Sequence, residues 1–147
     1  MRVERDILLE VPVERAWAVL MRWEDQALWM KDADSVRVVS PNREGIGVVL
    51  AVKTRVLNVP LFTEKLEVVG WEPPTRLVMA HRSFIGGVGE WALRAVPGGT
   101  EFRWSEDITL PVPILGELAL LVYRPFMRYL MGGAMRGLQA FVRSEPA

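Results

Sequence analysis

Between Val36 and Leu110 the chain carries six β-rich runs with only turn-length connections between them. The runs are Val36–Ser40, Gly47–Leu57, Leu61–Trp71, Arg76–Phe84, Gly89–Val96 and Thr100–Leu110. The separators are PNREG, NVP, EPPT, IGGVG and PGG, all turn chemistry. Parallel neighbours need a crossover of about a dozen residues or more, whereas antiparallel neighbours need only a hairpin. An antiparallel meander is therefore the expected topology.

What flanks this block is helical or mixed. VERDILLEV (3–11) predicts a first strand, and Pro12 suits the first turn of the helix that follows. In VERAWAVLMRW (13–23) the apolar residues Val13, Ala16, Trp17, Leu20 and Trp23 recur at the spacing of a one-sided helix. EDQALWM (24–30) reads as a second short helix whose Trp29 and Met30 would cover the mouth of any cavity. The last element, Ile114 to Arg143, has helical periodicity throughout. Ala119, Tyr123, Phe126, Leu130, Gly133, Gly137 and Phe141 are expected to form its buried ridge, and Pro125 to kink or split it. Leu115, Leu118, Val122 and Tyr129 make a second stripe beside that ridge, flanked by Arg124, Arg128, Arg136 and Arg143. Neighbouring loops would bury that stripe; left exposed, it would mark a dimer or membrane-surface contact. Gly133 and Gly137 would permit either close helix–sheet packing or a gap for a ligand.

Composition removes several functions. The 18 Lys and Arg balance the 18 Asp and Glu, which argues against an electrostatic nucleic-acid binder. With no cysteine and one histidine, zinc sites, disulfide frameworks and cysteine nucleophiles are essentially excluded, and neither a metal nor a cofactor is expected. MRVERDILLEV has no apolar leader pattern, so a cytoplasmic location is the expectation. GGVG (86–89) runs into a strand rather than a helix, so it reads as a hairpin turn and not as a phosphate loop. Asp32 and Asp34 fit no metal-loop spacing and are expected to be solvated.

The order β-α-α-β6-α, with the phrases PVERAWAVLMRWEDQALWM, GGVGEWALRAVPGGTEFRW and LPVPILGELALLVYRPFMRYLMGGAMRGLQAFV, resembles the START and polyketide cyclase/dehydrase superfamily. The phrases are most similar to its polyketide-cyclase and coenzyme-Q-binding branch. The resemblance spans nearly the whole chain and implies one domain over 1–147 with the α+β helix-grip fold. In that fold a strongly curved antiparallel sheet of about seven strands wraps around a long C-terminal helix. It also implies a cavity between sheet and helix for a hydrophobic or aromatic small molecule or lipid. The superfamily hosts binders and enzymes alike, so no catalytic set comes with the resemblance.

Strand parity supplies the candidate residues. In GTEFRWSEDITL (99–110), Phe102, Trp104, Glu106, Ile108 and Leu110 share one face, and in PLFTEKLEVVGW (60–71) so do Phe62, Glu64, Leu66 and Val68. Two glutamates are thus aimed along apolar faces, where an unpartnered carboxylate would be too costly to stay ionised. A β-bulge near Trp104–Asp107 or a strand-end position would return them to solvent. Otherwise Glu64 or Glu106 meets a ligand hydroxyl or an internal arginine. His81 shares a face with Leu77 and Met79, as a core histidine or a cavity base, while Arg82 points to the opposite face. Trp91, Trp104, Tyr123, Phe126, Leu130 and Gly133 are the expected walls, with Glu64, His81 and Glu106 orienting polar groups. Three functions follow: a carrier or sensor of a hydrophobic molecule, a polyketide cyclase or aromatase with His81, Glu64 or Glu106 as acid or base, and a macromolecular interaction module.

Overall fold

The computed structural model describes residues 1–56 and 59–144. Seven strands form one antiparallel sheet: β1 (Arg2–Leu9), β2 (Ala33–Val38), β3 (Val49–Val56), β4 (Val59–Glu72), β5 (Arg76–His81), β6 (Gly86–Val96) and β7 (Gly99–Thr109). Their spatial order is β1-β7-β6-β5-β4-β3-β2, so the meander expected from the short connections is realised and β1 joins at the β7 edge. The sheet curls into a half-barrel, the helix-grip arrangement. Leu57 and Asn58, which the sequence assigns to a strand end and a turn, lie outside the described residues.

Two short helices, α1 (Val13–Leu20) and α2 (Gln26–Trp29), follow β1, with a 3-10 turn at Trp23–Asp25 between them. The long α3 (Leu115–Ser144) closes the chain and runs unbroken through Pro125, rather than splitting there. The carbonyl that Pro125 deprives of a donor belongs to Leu121, which is exposed, so water can serve it.

The core joins Val3, Leu9, Leu50, Val68, Leu77 and Phe102 of the sheet to Trp23 and Trp29 of the short helices and to Met131, Met135 and Leu138 of α3. All six tryptophans gather in two clusters. Trp17 and Trp23 pack on Trp71 with ring centroids 5.3 and 6.5 Å away. Trp91 contacts Trp29 at 6.0 Å, Trp104 at 6.2 Å and Phe102 at 5.8 Å. Edge-on and tilted rings at such spacings add attraction beyond the area they bury. The outer face of the sheet is laced instead with exposed ion pairs such as Arg76–Glu90, Arg82–Glu67 and Arg94–Glu101.

The buried ridge of α3 is not the one its apolar spacing suggested. The buried residues are Gly116, Leu120, Met131, Gly132, Ala134, Met135, Leu138 and Val142. Ala119, Tyr123 and Phe126 are exposed, while Leu130, Gly133, Gly137 and Phe141 are only half-buried. The cause is where the helix docks: its packing runs chiefly against β1 and α2, along one edge of the half-barrel. The second stripe is exposed too, with Leu115, Leu118, Val122 and Tyr129 all open and Val122 82% accessible. The first half of the helix thus lies largely outside the core, because an edge-docked helix has nothing to cover there. A continuous apolar pattern hid a helix with two different halves.

The two glycines separate accordingly. A Cβ at Gly137 would stand 2.5 Å from the Trp29 carbonyl oxygen, so this is where α3 crosses the backbone of α2. At Gly133 a Cβ would touch only the end of the Arg136 side chain, at 3.9 Å. In a helix interior alanine is favoured over glycine by about 1 kcal/mol. Gly133→Ala is therefore expected to raise stability by up to about 1 kcal/mol, and Gly137→Ala to lower it by roughly 1–3 kcal/mol through the backbone clash. Paired denaturant melts of the two variants check this, and equal shifts would contradict the crossing point.

Candidate functional site

The β7 register is continuous through its inward glutamate: Val3 pairs with Glu106 on one side and Gly89 with Glu106 on the other. No bulge intervenes, so Glu106 faces the interior as parity requires. Its neighbours explain how it persists there. Trp104 Nε1 donates to Glu106 Oε1 at 2.9 Å, and His81 Nε2 donates to Glu106 Oε2 at 2.8 Å. The other ring nitrogen, His81 Nδ1, hydrogen-bonds Glu64 Oε1. The two glutamates and the histidine picked out by parity are therefore one cluster, a single imidazole between two carboxylates.

Sheet geometry permits this only because of a glycine. Met79 of β5, Gly89 of β6 and Glu106 of β7 are register partners in one row across three strands. His81 lies two residues along from Met79 on the same face. To reach it, the Glu106 side chain must cross β6, and it does so over Gly89. A Cβ there would stand 2.7 Å from both carboxylate oxygens. GGVG is accordingly part of β6 rather than the hairpin turn expected from its glycines, and its last glycine is a gap for a neighbour's side chain.

The surroundings set the protonation. Burial alone would lower the His81 pKa, but hydrogen bonds to Glu106 and Glu64 and the charges of both outweigh it, and the imidazole is pushed up to about 10. It is an imidazolium at neutral pH. Asp32 belongs to the same field: burial raises its pKa above the usual carboxylate range, and the charges of Glu64 and Glu106 add to the rise. That corrects the expectation of a solvated Asp32. Asp34 is tied to Arg55, whose Nε and Nη2 reach its Oδ1 at 2.8 and 2.6 Å. Arg82 turns outward to Glu67 at 3.1 Å, leaving the inner face to His81.

Beside the cluster is a cavity of about 50 Å³, lined by Gln26, Leu66, Leu77, Met79, His81, Gly89, Trp91, Trp104 and Glu106. That is room for roughly three or four waters, against about 300–1,000 Å³ for a drug-sized ligand site. His81 and Glu106 line the cavity, whereas Glu64 bonds His81 without lining it; the three keep 9%, 11% and 14% of their side-chain surface exposed. Among the expected walls, Trp91 and Trp104 line the cavity. Tyr123 and Phe126 do not; they meet edge-on, centroids 5.4 Å apart, on the open half of α3. Leu130 and Gly133 are half-buried away from it, because α3 docks on the sheet edge. Trp29 is buried beneath Trp91 rather than covering an opening.

Parity reasoning on strands could not reach Gln26. It is 4% exposed, and its Nε2 has no hydrogen-bond partner; the Nε1 of buried Trp29, one turn later on α2, has none either. Leaving a buried donor unsatisfied costs roughly 1–3 kcal/mol. The signal in the sequence was the Gln26–Trp29 spacing, which puts an amide on the helix face occupied by a tryptophan. Among the described residues no group of three or more His, Asp or Glu is disposed to hold a metal ion, and both ring nitrogens of His81 already serve carboxylates.

A family model described as polyketide cyclase / dehydrase and lipid transport matches residues 1–143. No curated protein matches the sequence. Several solved structures do so by fold. A Thermus thermophilus protein shares 18% identity with a TM-score of 0.82, each chain covered completely. The Zhui aromatase/cyclase from a Streptomyces species shares 12% identity with a TM-score of 0.76, over 97% of this chain and 93% of its own. The di-domain ARO/CYC StfQ from the steffimycin biosynthetic pathway shares 18% identity with a TM-score of 0.74, over 97% of this chain and 50% of its own. At these identities the likeness concerns the fold.

The cluster has a direct spectroscopic consequence, since the chain holds a single histidine. Its ring proton resonances should stay in the imidazolium position through 6.5 and titrate only towards about 10. Glu106→Gln should bring the titration down. Because the folded pKa is raised, the stabilisation is fully present below the ordinary 6.5 and is lost as pH climbs through about 10. Wild-type stability should therefore fall more steeply over that window than that of Glu106→Gln. A histidine titrating near its ordinary value would refute the charged cluster.

Proposed function

The chain belongs to the polyketide cyclase/dehydrase and lipid transport family, and from that premise we propose that it binds a hydrophobic or aromatic small molecule between the sheet and the first half of α3. The observation that carries this reading is the imidazolium held between Glu64 and Glu106 at the floor of a pocket otherwise walled by Trp91, Trp104, Leu66, Leu77 and Met79. Replacing a buried ionic group by apolar side chains of similar volume is often neutral or stabilising, so such a cluster is poorly explained as a device for stability. Near an apolar ligand it supplies orientation: fixed charge and donors for a polar end, with rings for the rest.

The existing cavity accommodates only that polar end. The body of the molecule would lie against the apolar side chains that α3 leaves uncovered, Tyr123 and Phe126 among them. Binding would then cover surface that is now open, which gives it a favourable apolar term. Whether the bound molecule is stored, transferred or sensed depends on its identity.

A second reading, cyclase or aromatase chemistry, is favoured by the same proton-rich cluster. An imidazolium is a poor base at neutral pH but a competent donor to an enolate oxygen. In such a reaction His81 would stabilise developing negative charge, and Asp32, whose carboxyl pKa is raised, would be the candidate base. Glu64 and Glu106 would hold the imidazolium in place rather than abstract protons themselves.

Native mass spectrometry of the purified protein, followed by solvent extraction, tests the binding reading. The expected result is a stoichiometric apolar adduct, or uptake of added aromatic compounds at one per chain. Trp91→Ala, which opens a wall, should weaken that uptake at least tenfold. Failure to retain or take up any apolar compound would count against a ligand-binding site. Turnover of an aromatic poly-β-ketone, lost on Asp32→Asn, would move the weight to the enzyme.

A further inference from the structure

We propose that the outward face of the first half of α3 is a pairing surface for a second copy of this chain, the two helices lying antiparallel about Val122. This surface takes no part in the cavity and stands without the binding reading.

Between Leu115 and Tyr129 the helix carries Leu115, Leu118, Val122, Pro125 and Tyr129 at alternating steps of three and four residues. Those are the a and d positions of two heptads, the seam by which one helix packs on another. All five are exposed, and the four besides the proline are more than half open to solvent. Leu120 and Met127 fall at f, on the opposite side of the helix, and they are the residues by which this half rests on the domain. The seam therefore points away from the domain. Single exposed apolar residues need no explanation, but an apolar seam running for about four turns does. Ile114 extends it at g, exposed and with φ of 66°, a region rare for a β-branched residue. Glycine would hold that turn at less cost, so the isoleucine side chain is best explained by something it covers.

The flanks of the seam decide what that is. Glu117, Arg124 and Arg128 are exposed along one flank, at c and g, while the other flank is apolar, with Ala119 and Phe126 at e. Two parallel copies would lay the charged flank of one along the apolar flank of the other. Turning one copy over sets charged flank against charged flank. A two-fold axis near Val122 then brings Glu117 of each copy alongside Arg124 and Arg128 of the other, once on either side of the axis. A lipid surface fits less well. Helices that lie in a membrane interface keep a strongly charged face opposite the apolar one. Here the opposite face is Leu120 and Met127, and the chain has no net charge to draw it to anionic lipid.

Sedimentation equilibrium over roughly 1–300 µM, the range that an interface of modest size calls for, is expected to show a reversible monomer–dimer equilibrium. Val122→Glu puts a charge at a position with no packing to lose within the domain. It should weaken association by roughly tenfold or more, with the circular dichroism of the chain unchanged, and Leu118→Lys should do the same. The chain has no cysteine, so single-cysteine variants report orientation without background. A bismaleimide of about 8 Å matches the interaxial distance of packed helices. With it, Leu115→Cys and Tyr129→Cys should cross-link when mixed. Leu115→Cys alone should not, because its two copies stand about 20 Å apart in an antiparallel pair. A monomer throughout the concentration range, a dimer indifferent to both charge substitutions, or self-linking of Leu115→Cys would each overturn the pairing. So would a chain that stays monomeric and floats with phosphatidylcholine vesicles until Val122→Glu releases it, which would make the seam a lipid contact. The wild-type equilibrium needs no variant to fold, so the pairing can fail on that measurement alone.

Discussion

One imidazolium shared by two carboxylates is the interaction around which the interior of this protein is organised. It requires β4, β5 and β7 to present Glu64, His81 and Glu106 to a common point across a fourth strand, and therefore a sheet curled enough to converge them. It requires a strand with no side chain at Gly89. It also requires Trp104 to spend its indole N–H on Glu106, which places that ring in the wall beside Trp91. Curvature, a missing Cβ and the position of a tryptophan wall are thus tied to a single protonation state.

Much of this could be read from the chain, for reasons that are local. Strand periodicity is fixed by backbone geometry, so alternation in GTEFRWSEDITL was enough to turn Glu106 inward, and the same rule did so for Glu64 and His81. Short connections dictated the meander. What parity cannot express is distance between strands that are remote in sequence. That Glu64, His81 and Glu106 meet, and that they meet over Gly89, depends on register across four strands. Gly89 itself looked like turn chemistry because glycine is ambiguous: it can allow a sharp bend, or it can clear space for a neighbour.

The errors on α3 have a different origin. Apolar spacing identifies a face but not the partner of that face, and the helix docks on the edge of the half-barrel over only part of its length. Tyr123, Phe126, Leu130 and Gly133 belong to a face that the protein leaves largely uncovered, whereas Met131, Met135 and Leu138 enter the core. Asp32 and Gln26 were equally out of reach. Each sits in or beside a short element whose burial is conferred by the sheet above it rather than by its own pattern. The inward polar groups of this structure are drawn from both classes: strand residues legible by parity, and helix or loop residues legible only in three dimensions.

The gap at Gly89 also constrains how such a sequence could drift. Any residue with a Cβ at that position forces the Glu106 carboxylate out of its present place. Without Glu106, the Trp104 indole loses its acceptor and the imidazole loses one of its two counter-charges. Gly89, Glu106, His81 and Glu64, with Trp104 bonded to Glu106, are energetically coupled, so the cost of changing one depends on the state of the others. A lineage that abandoned the cluster would have to pass through forms less stable than either endpoint. Descendants should then sort into those that keep the glycine, both carboxylates and the histidine as a set, and those that have replaced the set with hydrocarbon.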